Sequence, residues 1–142
     1  MNKIIKHSIT KREKEKITKS IFSYIQKRKE ILTAYFFGSY VSGQKFGDID
    51  IGILVLNEPE DLLGYEFELE IELEELVKLS VDVRLLNNAP VTFVQNVIRH
   101  GEIIIDNKPN FRADFESYIL RKYFDFAPFR RQYLVEVINA PL

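Results

Sequence analysis

Residues 48–56 read DIDIGILVL, acid and isoleucine alternating before the run turns apolar. Alternation of period two in a segment rich in β-branched residues is a strand pattern, with successive side chains on opposite faces. Ile49, Ile51, Ile53 and Val55 then share one face, and Asp48, Asp50 and Gly52 share the other. Such a strand must bury one face in a core, which constrains the fold more than any other stretch does. Strand interiors rarely accept acids, so Asp48 and Asp50 need a reason to be there. Just upstream, Ala34–Phe37 reads as a short buried strand that stops at a Gly38-Ser39 turn.

The rest of the chain supplies helices and two more strands. Thr10-Lys11-Arg12-Glu13 has the spacing of a capping box, and Ile17, Ile21, Tyr24 and Ile25 recur at helical intervals behind it. Pro59 with Glu58, Glu60 and Asp61 suits a helix first turn. The following YEFELEIELEELVKL fits both periods: Phe67, Leu69, Ile71 and Leu73 alternate with glutamates, while Leu62, Leu69, Leu73, Leu76 and Val77 make a helical stripe. Glutamate and leucine favour helix and glutamate disfavours strand, so a helix is expected. Ser80–Leu86 reads as a third strand and Thr92–Arg99 as a helix ended by Gly101. Glu102–Asp106 reads as a fourth strand, and Phe111 onward as helix with a break or bend at Pro128. Strands interleaved with helices define an α/β (α+β) class: a small mixed sheet flanked by helices, in one domain over residues 1–142.

Composition narrows the chemistry. There is no cysteine, which excludes disulfides and thiolate zinc sites, and His7 and His100 are too far apart in sequence to form a metal motif. Net charge is −1, so no global field favours nucleic acid. The charge is uneven, basic over residues 3–30 and acidic over 58–75. Mixtures such as KREKEK are typical of a solvated face, and nucleic acid is not expected as a partner. No apolar run is long enough for a membrane span, and the N-terminus lacks an apolar signal core, so a cytoplasmic protein is expected.

On the third strand, Val81, Val83 and Leu85 share one face and Asp82 and Arg84 the other. If this strand neighbours DIDIGILV with both apolar faces in one core, Asp48, Asp50 and Asp82 converge on one open face. Clustered carboxylates repel unless cations lie among them, and hard oxygen donors select Mg²⁺ or Mn²⁺ over zinc. A solvated sheet face is the competing reading of the same acids. The run G-SYVS-G-QKF approaches the phosphate-loop pattern but has Lys45 one residue late, Phe46 in place of a hydroxyl residue and no following helix, so that loop is rejected. Gly38 and Ser39 can still hold phosphate through backbone N–H groups and a hydroxyl, or form a plain tight turn. Arg84 has two readings of equal weight, a phosphate partner or an ion pair with Asp82 or Asp50.

Gly38-Ser39, Gly43, Asp48-Ile49-Asp50 and a later strand with Asp82 together resemble the minimal nucleotidyltransferases of the DNA polymerase β superfamily. The resemblance implies that fold, with Ser39 and the backbone after Gly38 on the nucleotide's terminal phosphates. It implies two Mg²⁺ ions (or Mn²⁺) on Asp48, Asp50 and Asp82, with ATP as substrate and Asp82 easing deprotonation of the acceptor hydroxyl. The sequence departs from the pattern in three places: a short spacer of eight residues between Ser39 and Asp48, Gly47 in place of a serine, and Tyr40 and Ser42 where arginines are frequent. Lys45 or Arg84 could replace the lost positive charge.

A chain of this size is similar to the MNT (MntA-like) antitoxins. That implies AMP transfer from ATP to a tyrosine of a HEPN-domain toxin partner. The alternative is a weak or inactive antitoxin that neutralises its partner by binding alone, and a homo-oligomer is left open. Transfer to a small hydroxylated molecule is disfavoured by the lack of an acceptor domain. Aromatics crowd the C-terminal helix; most are expected to cover the sheet, while Phe124, Phe126 and Phe129 around Pro128 suit a partner contact.

Overall fold

The structure, a computed structural model, describes the backbone of residues 7–43 and 45–139 and the side chains of 8–43 and 45–125. The leader reading of residues 1–6 and the side chains of Phe126 and Phe129 lie outside the described residues.

A short strand, β1 (His7–Ser8), leads into α1 (Lys11–Gln26). Thr10 caps this helix reciprocally: its hydroxyl accepts from the Glu13 N–H at 3.1 Å, and its own N–H donates to the Glu13 carboxylate at 3.2 Å. Then come β2 (Ile31–Phe37), a one-turn helix α2 (Ser39–Ser42), β3 (Lys45–Phe46) and β4 (Ile49–Val55). The chain continues through α3 (Leu62–Val77), β5 (Val81–Leu85), α4 (Val91–His100), β6 (Glu102–Asp106) and α5 (Pro109–Asn139). The main sheet is mixed and four-stranded, ordered β5-β4-β2-β6. β4 and β5 run parallel, and β2 is antiparallel to β4 and β6. β1 pairs with β3 in a separate ribbon that the sequence did not announce.

The sheet is covered on both sides. Ile49, Ile51, Ile53 and Val55 of β4 meet Ile21 and Ile25 of α1 and Leu69 and Leu73 of α3 in one core. The opposite face carries a second core, where Tyr35, Leu54 and Leu86 meet Val94 and Val97 of α4 and Ile119 of α5. That second face was expected to lie open. It is closed at the Leu54 end, and the acids lie at its other end.

Several boundaries differ from expectation. β2 begins at Ile31, ahead of the expected start at Ala34. β4 begins at Ile49, so Asp48 lies in the bend before the strand. α3 begins at Leu62, so Glu58–Glu60 precede the helix rather than forming its first turn, and Asp61 caps it, its carboxylate accepting the Gly64 N–H at 2.9 Å. α5 runs through Pro128 without interruption; a proline removes one helical hydrogen bond, and here that loss does not end the helix. The aromatics of α5 also differ. Phe115 packs on the second core, but Phe111, Tyr118 and Phe124 are exposed, because Ile119 occupies the buried line of the helix.

The ambiguous glutamate segment has a physical explanation. β5 is an edge strand, and an edge leaves backbone donors unpaired. Carboxylates of α3 take them: Glu74 accepts from Val81 N–H at 3.0 Å, Glu70 from Val83 at 3.0 Å and Glu66 from Leu85 at 2.8 Å. Four residues of helix rise about 6 Å and two residues of strand about 6.6 Å, so the two ladders stay in step. Glu68 and Glu72, on the other flank, face Arg28, each at 3.7 Å. The alternating glutamates are therefore two helical rows on either side of buried Leu69 and Leu73. Glu70→Leu is expected to lower stability by about 1–3 kcal/mol, because Val83 N–H loses its acceptor, while Glu70→Gln keeps an acceptor oxygen and loses less than half of that. Urea midpoints at constant slope check this. Among the described residues no helix is long and apolar enough to cross a membrane.

Candidate active site

The strand pairing brings the acids together. Phe37, the last residue of β2, lies opposite Asp50, and Asp50 lies beside Asp82 in the parallel β4–β5 register. Gly38 then turns the chain with φ of +73°, in the left-handed region. A Cβ on Gly38 would lie 2.4 Å from Asp50 Oδ2, so this residue lets the turn approach the carboxylate.

The turn closes on itself and is anchored in the core. The N–H groups of Val41 and Ser42 donate to Gly38 O, both at 3.2 Å, and Gly43 N–H donates to Ser39 O at 2.9 Å. N–H groups at the start of a helical turn have no partner within it. Tyr40, which the sequence offered only as a missing arginine, is buried between Phe36 and Phe46 with both ring centroids 4.9 Å away. Its hydroxyl meets Thr18 Oγ1 at 2.9 Å. Lys14 of α1 donates to the Tyr40 carbonyl and places its Nζ 4.7 Å from the ring centroid. A cation therefore stands at this turn, supplied by a helix read from sequence as a solvated face; no spacing rule links residues this far apart.

The electrostatics are those of crowded acids. Burial first, then the carboxylates of Asp82 and Asp48, push Asp50 up to about 6, with Arg84 opposing. Asp82 pairs with Arg84 Nε at 3.4 Å on an exposed part of the strand. Of the two readings of Arg84, the geometry has the ion pair; its length and exposure make it weak enough to open for a ligand. Burial, then the Asp82 carboxyl, also push Glu70 upward against the pull of Val83 N–H.

Among the described residues no three acidic or histidine side chains are gathered closely enough to form a ready ligand set. Asp48 is exposed ahead of the strand, while Asp50 is half-buried. Asp50 nevertheless lies within reach of the charges of both Asp82 and Asp48. A hard divalent cation suits oxygen donors held in mutual repulsion.

This fold is of the polymerase-β-like nucleotidyltransferase type. Residues 19–110 match the family described as "Polymerase beta, Nucleotidyltransferase", and the chain belongs to that family. No curated protein matches the sequence. Solved structures do. A chain from the complex of tri-AMPylated Shewanella oneidensis HEPN toxin with MNT antitoxin matches with TM-score 0.71 and 20% identity, over 88% of this chain and 98% of that one. A toxin-antitoxin structure with AMP-PNP matches with TM-score 0.72 and 21% identity, over 85% and 98%. The toxin-antitoxin MntA-HepT matches with TM-score 0.65 and 20% identity, over 91% and 99%. At these identities the likeness is one of fold.

Proposed function

We propose that residues 1–142 form one minimal nucleotidyltransferase unit that acts as a cytoplasmic antitoxin, moving AMP from ATP to a tyrosine hydroxyl of a HEPN toxin. The observation that carries this reading is the meeting of the Gly38 turn with Asp50, and of Asp50 with Asp82, at one end of the sheet. The family supports nucleotidyl transfer. The HEPN acceptor and the adenine nucleotide are supported by what the similar complexes contain, a tri-AMPylated toxin in one and AMP-PNP in another.

In this reading Asp48, Asp50 and Asp82 would hold Mg²⁺ or Mn²⁺. The ions would screen the triphosphate charge and lower the cost of removing the acceptor's proton. Ser39 and the N–H groups opening α2 bind the terminal phosphates, and Gly38 keeps that turn against Asp50. Arg84 swings from Asp82 to the nucleotide or stays to orient Asp82. The tyrosine oxygen bonds to the α-phosphorus, the bond from that phosphorus to the bridging oxygen breaks, pyrophosphate leaves, and the proton passes by way of Asp82 to water. Positioning and charge supply most of the rate.

The departures from the family pattern at Tyr40, Ser42 and Gly47 support the rival reading, neutralisation by binding alone. Incubating the protein with labelled ATP, Mg²⁺ and its HEPN partner decides between them. Label on the partner is expected; an unlabelled but neutralised partner would establish masking.

A further inference from the structure

Beyond Asp82 the sheet ends in a groove of about 570 Å³ between β5 and α3, lined by Leu63, Phe67, Glu66, Glu70, Asp82 and Arg84. Resting on the nucleotidyltransferase reading above, we propose that this groove docks the acceptor protein, taking the segment that carries its hydroxyl, with cationic and apolar side chains flanking that hydroxyl.

Three observations lead there. The first is the order of parts across the sheet: the Gly38 turn lies against Asp50, Asp50 lies beside Asp82, and Asp82 borders the groove. In phosphoryl-type transfer the attacking and leaving oxygens are roughly in line on opposite sides of the phosphorus. With the terminal phosphates on the turn, the attacking hydroxyl must arrive from the far side, which is the groove. The second is exposed apolar surface on its wall: Leu63 is 79% and Phe67 62% exposed, one helical turn apart on α3. The third is charge. Glu66, Glu70 and Asp82 face a single guanidinium, Arg84, which is itself paired with Asp82. This surface repels the phosphates of a polynucleotide end and attracts a basic segment of protein. At about 570 Å³ the open groove has room for several side chains.

The test uses the full chain with labelled ATP, Mg²⁺ and its HEPN partner over a range of partner concentrations. The double variant Leu63→Lys, Phe67→Lys is compared with the unsubstituted protein and with Leu76→Lys. Leu76 is 48% exposed on the same helix but lies on the α1 side, away from the groove. The expected result is a KM for the partner raised about tenfold or more in the double variant. ATP binding by calorimetry and kcat at saturating partner should stay within about threefold, and Leu76→Lys should behave as the unsubstituted protein. If the double variant melts early, Phe67→Ser is read in its place. An unchanged partner KM overturns the groove, as does efficient transfer by the unsubstituted protein to an oligonucleotide 3′-hydroxyl. No transfer by the unsubstituted protein to any acceptor is a different result, and overturns the functional reading itself.

Discussion

Asp50→Asn should lower AMP transfer by about a thousandfold while leaving the protein as stable as before or more so near neutral pH. The two halves have one cause. Asp50 is held beside Asp82 and near Asp48 in a half-buried position, and its pKa is pushed up to about 6. Asparagine keeps the shape and removes the charge, so repulsion falls together with the ability to hold a cation. The pH dependence follows from linkage. A carboxyl whose folded pKa lies above the unfolded one takes up a proton on folding in the interval between them, so stability falls as pH rises from about 4 to about 6. The cost is fully present above that interval and absent below it. Melting temperatures of the two proteins in EDTA should therefore converge near pH 4 and separate toward pH 7, with the variant higher. Added Mg²⁺ should raise the unsubstituted protein alone. A variant with undiminished transfer would remove Asp50 from the chemistry.

The parts of this arrangement that were legible in the sequence are those set by local rules. Alternation identified DIDIGILV as a strand, and the Thr10–Glu13 spacing marked the start of α1, since both patterns are complete within a few residues. The β4–β5 neighbour relation, which the sequence offered only as a supposition, holds in the structure and puts Asp50 beside Asp82. What the sequence withheld depends on contacts between distant residues. Lys14 is an ordinary member of a basic run until α1 packs against Tyr40. Tyr40 resembles a lost arginine until its ring is found between Phe36 and Phe46. The glutamates of α3 carry two periodicities at once, and only the exposed edge of β5 explains the row at 66, 70 and 74. The second core escaped notice for a similar reason: Leu54 continues the acidic face by parity, yet α4 and α5 cover it.

Gly38→Ala is the substitution expected to do the most damage for the fewest atoms. The position has φ of +73° and ψ of −152°, a region open almost only to glycine, so any side chain there strains the backbone by about 1–3 kcal/mol. The new methyl would also lie 2.4 Å from Asp50 Oδ2. Either the carboxylate swings away or the turn lifts off β4, and both outcomes separate the phosphate-binding turn from the acids. A misplacement of about 1 Å in such a site costs about a hundredfold in rate, so transfer should fall by at least that much. A double-mutant cycle with Asp50→Ala divides the two causes. Removing the Asp50 side chain relieves the clash but not the backbone strain, so the stability loss from Gly38→Ala should shrink in the Asp50→Ala background without vanishing. Equal losses in both backgrounds would place the whole effect in the backbone, and the close approach of Gly38 to Asp50 would then contribute nothing to the site.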